Sequence, residues 1–141
     1  MVRSVSKIPI KPEKIIADVT DDSAGGTVVF IGTVRNQNYG KKVKSLEYQA
    51  YRDMAERKMK EIETEARKKW PVKQMKMVHR EGKLSVGEVS VVVAVSCEHR
   101  GDAFEACRFA IDRIKQTLPL WKKERDDRGK EIWVEGTTIE S

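Results

Sequence analysis

Residues 88–118 read EVSVVVAVSCEHRGDAFEACRFAIDRIKQTL, and two periodicities meet inside them. The β-branched run from Val91 to Val95 predicts a strand over Glu88 to Ser96, because such side chains fit a pleated surface. Beyond Gly101 the spacing turns helical. Ala103, Phe104, Cys107, Ala110, Ile111, Ile114 and Leu118 form one apolar stripe, Asp102 is a suitable N-cap, and Pro119 is the stop.

Working outward, Arg52 to Trp70 repeats the helical pattern with Ala55, Met59, Ile62, Ala66 and Trp70 on one face, and Pro71 closes it. Asp53–Arg57, Glu56–Lys60, Glu63–Arg67 and Glu65–Lys69 are i,i+4 pairs for its wet faces. Thr27 to Val34, after the breaker Gly25-Gly26, reads as a buried strand. Val43 to Tyr51 alternates like a strand, and so does Met75 to Arg80, joined to Glu88–Ser96 by a turn over Gly82 to Gly87. Trp121 to Arg125 and Glu131 to Glu135 suggest a hairpin around Asp126-Asp127-Arg128-Gly129. Ile8 to Val19 suggests a brief helix, and Met1 to Lys7 a loose arm or edge strand. No repeat or linker divides residues 1–141, so one domain is expected. Strands and helices interleave with uneven crossovers, which favours α+β over a doubly wound sheet.

Composition narrows the function classes. The chain has 141 residues, 39% of them apolar, which excludes a wholly disordered polymer. Its longest apolar run, Val91 to Val95, is far below the ~20 residues of a membrane helix, and no secretory leader is recognisable. Cys97 and Cys107 lack CxxC spacing and read as reduced thiols of a cytoplasmic protein. The two Cys with His79 and His99 match no zinc pattern, and neither GxxxxGK[ST] nor GxGxxG occurs. With nine aromatics, and most basic residues interleaved with acids, no RNA-binding face stands out. The net charge of +6 is compatible with an anionic partner without choosing one.

Three places gather cations beside breaks in structure. Arg35, Lys41, Lys42 and Lys44 share a turn-rich loop that either holds a phosphate or is a solvated hairpin tip. His99-Arg100 stands where a strand meets a helix, fit either for an anion at the helix start or for local capping. Lys115 lies on the line Phe104, Arg108, Ile111, Lys115, Leu118, at the margin of the buried stripe. It either snorkels to water or, desolvated near Lys122 and Lys123, becomes a base of lowered pKa.

The strings FIGTVRNQNYGKKVKSLEYQAYRDMA, SCEHRGDAFEACRFAIDRIKQTLPLWKKE and the closing WVEG, in this order, resemble the large, catalytic subunit of molybdopterin synthase from about Thr27 to Glu135. The resemblance implies an α+β fold of the α/β-hammerhead type, a mixed sheet with two main helices. It implies a homodimer, completed to a heterotetramer by a small ubiquitin-like sulfur carrier whose C-terminal Gly-Gly bears a thiocarboxylate. The implied reaction transfers two sulfurs to cyclic pyranopterin monophosphate, making the dithiolene of molybdopterin, with no cofactor or metal of the chain's own. Position by position, Lys115 and Lys122 match the catalytic lysines. Thr33, Val34 and Arg35 match the pterin-contacting segment, His99 and Arg100 the pair that binds substrate, and Lys123 and Glu124, beside the second lysine, are expected as further substrate contacts. Three rivals are an RNA-binding module, a module for an acidic protein and a thiol-based sulfurtransferase.

Overall fold

In the computed structural model, which describes residues 4–38 and 40–134, the strand and helix of the opening stretch are β8 (Val89–Cys97) and α3 (Arg100–Thr117). β8 is central in a four-stranded sheet. It pairs antiparallel with β2 (Gly26–Thr33) on one side and with β6 (Val72–Arg80) on the other, and β1 (Val5–Ser6) joins β6 in parallel. The sheet is therefore mixed. One face carries α3 and α2 (Arg52–Lys69), packed over Val91, Val93, Val95, Met75 and Met77. The other carries α1 (Pro12–Asp18), whose Ile15, with Val19 just beyond it, meets Val78, Val92 and Ala94. Covered on both sides, β8 has no polar alternation to show, and each buried valine contributes roughly 1.5–3 kcal/mol.

A second, antiparallel sheet has the order β10 (Glu131–Val134), β9 (Leu120–Arg125), β5 (Ser45–Ala50), β7 (Gly82–Ser85). Its small core is Val34, Val43, Leu46 and Leu84. Between the sheets the expected loop after Arg35 is a ribbon of β3 (Gln37–Asn38) and β4 (Lys41–Lys42). Glu135 lies outside the described residues. The α+β expectation, with two main helices, agrees with this architecture.

Four local expectations need correction. The Gly82–Gly87 turn contains strand β7, because the chain leaves the first sheet at Gly82, where φ is 106°, and pairs Tyr48↔Gly82 through Ser45↔Ser85 with β5. The Thr27–Val34 strand is an edge: none of β2's residues is buried, and Phe30 and Ile31 are 38% and 44% exposed. Phe104 is off the buried stripe, at 60% exposure, and Ala106 takes its place. The α3 cap is His99, not Asp102, and makes no side-chain cap bond. Gly25 packs against the junction of β8 and α3. Its N–H donates to the Cys97 and Glu98 carbonyls, and a Cβ there would lie 2.3 Å from the Glu98 oxygen.

Of the four helix pairs on α2, Glu63–Arg67 is formed at 2.9 Å. Two of the acids serve tertiary structure instead. Glu56 accepts from the Val5 N–H at 2.7 Å, which ties down the edge strand β1, and Glu65 pairs with Arg113 of α3 at 3.4 Å.

Candidate functional site

Where β2 ends, the ladder to β8 slips: Gly32 pairs with Val91 and Thr33 with Val89, which leaves Ser90 as an extra residue. A bulge of this kind bends the strand and re-aims side chains. It turns Thr33, Val34 and Arg35 to the gap between the two sheets, and the Ser90 hydroxyl donates to the Gly32 carbonyl at 3.2 Å. The gap is a cleft of about 280 Å³. Thr33 to Arg35 form one wall, the Asn38 ribbon another, Tyr48 and Ser90 also face the space, and Lys115, Lys122 and Glu124 enter from α3 and β9.

The two lysines are held below the ordinary amine range. For Lys115 burial is the main cause, and the nearby charges of Lys122 and Arg35 add to it. Lys122 is lowered first by burial, opposed by Glu124 with Nζ–Oε2 at 3.9 Å, and lowered again by Arg35. Such an amine reaches its neutral, proton-accepting form closer to physiological pH than a surface lysine does, and its charged form still attracts an anion. Behind them, burial pushes His79 down to about 4, so its ring is neutral. Its Nδ1–H donates to the Arg80 carbonyl at 2.7 Å, and the ring stands edge-on to Tyr48, centroids 4.9 Å apart. Burial also raises the Tyr48 phenol, which stays a hydroxyl donor at neutral pH.

The expected site residues divide. Thr33, Val34, Arg35, Lys115, Lys122 and Glu124 share the cleft. Lys123 does not, since consecutive strand residues face opposite ways. Its Nζ lies 3.7 Å from Glu131 and 5.0 Å from the centre of the Trp133 ring. His99 and Arg100 sit at the start of α3, outside this cleft, where the exposed His99 ring has Glu98 at 3.7 Å. Glu124, expected as a substrate contact, faces Lys122 and accepts from the Asn38 amide at 2.6 Å. Sequence reasoning missed Asn38, Tyr48, His79 and Ser90. Strand alternation places Tyr48 with Leu46, but nothing local signals the Ser90 bulge.

The cysteines offer no competing chemistry. Both are free and buried, and burial pushes the Cys107 thiol up to about 11 and raises Cys97 as well. Among the described residues no group of three or more His, Cys, Asp or Glu is placed to hold a metal, and no helix is long and apolar enough to cross a membrane.

Fold and cleft together define an α+β protein with a cation-lined cleft that suits an anion and holds two amines of lowered basicity. The chain belongs to the MoaE protein family, whose model matches residues 5–117. It is 46% identical over 132 residues to the molybdopterin synthase catalytic subunit of Nostoc sp., covering 93% of this chain and 80% of that one. It is 45% identical over 124 residues to the subunit of the same name from Pyrococcus abyssi, covering 88% and 83%. The crystal structure of molybdopterin synthase from Staphylococcus aureus superposes with a TM-score of 0.88 at 38% identity, over 94% of this chain and 96% of that one. A Helicobacter pylori structure, described as a complex of subunits 1 and 2 of molybdopterin-converting factor, shares the fold at a TM-score of 0.69 and 23% identity, over 87% and 77% of the two chains.

Proposed function

We infer that this chain is the catalytic subunit of a molybdopterin synthase, a sulfurtransferase of molybdenum cofactor biosynthesis. The observation that carries the reading is the meeting of Lys115 and Lys122 in one cleft under Arg35. The substrate is cyclic pyranopterin monophosphate, and two sulfurs come from the C-terminal Gly-Gly thiocarboxylate of a small ubiquitin-like partner. Each transfer forms a carbon–sulfur bond on the pterin in place of a carbon–oxygen bond, whose oxygen leaves as water or on the opened phosphate. Water then cleaves the resulting thioester to leave a carboxylate on the partner. Lys115 moves protons and, as an ammonium, steadies the oxyanion at the thiocarboxylate carbon, while Lys122 assists opening of the cyclic phosphate. Arg35 supplies the fixed cation for the phosphate. Since the partner brings the sulfur, the buried cysteines have no part in the transfer. Two free thiols also suit a reducing, cytoplasmic setting.

A groove of about 650 Å³, lined by Lys42, Lys44 and Arg125, shares Gln37 and Val43 with the cleft walls and is a route for the partner's tail. The homodimer is supported by β2, an edge strand with Phe30 and Ile31 exposed, covered by a helix that exposes Phe104. Large apolar side chains on an open edge suit pairing with a second copy. Arg100 packs at the Gly26 end of β2 and Arg35 follows its Thr33 end. Antiparallel pairing of two β2 edges therefore carries His99 and Arg100 of one copy toward the cleft of the other.

Reconstitution tests the reading. The purified chain, mixed with thiocarboxylated partner and cyclic pyranopterin monophosphate, is expected to form molybdopterin. Absence of product together with salt-sensitive RNA binding would establish the binding-module alternative instead.

A further inference from the structure

Asn38 is the buried member of an otherwise exposed ribbon, 8% accessible, and it touches two charged groups of opposite sign. Its Nδ2 donates to Glu124 Oε2 at 2.6 Å, across 86 residues of sequence, and its Oδ1 accepts from an Arg35 terminal nitrogen at 3.5 Å. The neighbours fix the amide's orientation, since a carboxylate can only accept and a guanidinium can only donate. The same Glu124 Oε2 lies 3.9 Å from Lys122 Nζ. The contacts thus link guanidinium to amide, amide to carboxylate and carboxylate to ammonium.

An arginine and a carboxylate with nothing between them form a strong bidentate pair. Such a pair would occupy the Arg35 fork and remove the counter-charge from Lys122. We propose that Asn38 is a positioning residue whose neutral amide holds Arg35 and Glu124 apart, keeping Arg35 open for the anionic substrate and Glu124 committed to Lys122. An amide suits the place because it satisfies both charged neighbours at once while adding no charge of its own. The ribbon supplies the lever: β3 is two residues long and pairs with β4, and the Asn38 side chain ties it to Glu124 of the second sheet.

Two variants test the spacer. Asn38→Ala lets Arg35 reach Glu124, and KM for the pterin substrate is expected to rise about tenfold, the scale of one charge-assisted hydrogen bond, with a much smaller change in kcat. The Lys122 amine, followed by NMR of labelled lysines without any substrate, is expected to titrate lower than in the native chain. Asn38→Asp keeps the shape. When ionised, the introduced carboxylate captures Arg35 and repels Glu124. When protonated, the introduced carboxyl donates to Glu124 and accepts from Arg35 as the amide does. The KM defect of Asn38→Asp is therefore expected to exceed that of Asn38→Ala at pH 8 and to shrink toward the native value near pH 5. A merely structural anchor gives no such recovery. An unchanged Lys122 titration in Asn38→Ala, or an Asn38→Asp defect equal at both pH values, overturns the proposal. Only the KM arm rests on the proposed reaction, so a native chain that makes no product counts against that reaction while the titration still decides the spacer.

Discussion

Lys122 and Lys123 are neighbours on β9 and live in opposite surroundings. The Lys122 side chain is 11% exposed, faces Lys115 and Arg35 in the cleft, and has its basicity lowered by burial. Lys123 points to the other face of the sheet, paired with Glu131 and lying over Trp133. One residue type on one strand thus gives a site amine and a surface ion pair, and the pleat decides which. A positive charge count says little about function until each charge is assigned a face.

The comparison can be broken from either side. Of the two neighbours the larger effect is expected at Lys122: Lys122→Ala should lower kcat/KM for molybdopterin formation by about 10²–10³, the usual loss when one preorganised charge-stabilising group is removed. A loss below threefold would erase the distinction between the two faces. A second test concerns the desolvation that makes the cleft special. Buried His79 is held at about 4, against an ordinary 6.5. Its folded-state value is depressed, so its contribution to stability is full above pH 6.5 and is lost as pH falls through 4. The native chain should lose about 3 kcal/mol from this residue over that window. His79→Gln, which keeps a donor for the Arg80 carbonyl but does not titrate, should lose that much less in denaturant titrations between pH 7 and 4. The smallest effect belongs to the outer face: Lys123→Ala should change kcat/KM by less than about twofold and stability by roughly 1 kcal/mol, the scale of an exposed cation–π contact and ion pair.

Much of the fold was legible because periodicity reports burial. The stripes of α2 and α3 and the apolar run of β8 each name the face that is covered. The same signal misled for β2, whose Thr27–Val34 run looks as buried as β8. An apolar strand does not reveal whether a neighbour lies on its second edge, and Phe30 and Ile31 are exposed where none does among the described residues. β7 was hidden between two glycines that read as a turn. The cleft itself was partly legible. Lys115 at the stripe margin, with Lys122 near it, and the cluster at Arg35 stand out in the sequence, and the resemblance implies the catalytic role of Lys122. Asn38, Tyr48, Ser90 and His79 gain meaning only from long-range register: a bulge opposite Gly32, a bond across 86 residues, and two rings meeting edge-on between sheets. No local pattern encodes such contacts.

The central claim is that an amine in this cleft, rather than a thiol of this chain, serves the sulfur transfer. The most direct measurement compares product formation by Lys115→Ala and by the Cys97→Ala/Cys107→Ala double variant under identical conditions with thiocarboxylated partner. The account predicts molybdopterin from the double cysteine variant at a rate within about threefold of native, and a loss of at least about 10³-fold for Lys115→Ala. Product that survives Lys115→Ala, or that disappears from a folded chain without cysteines, would contradict it.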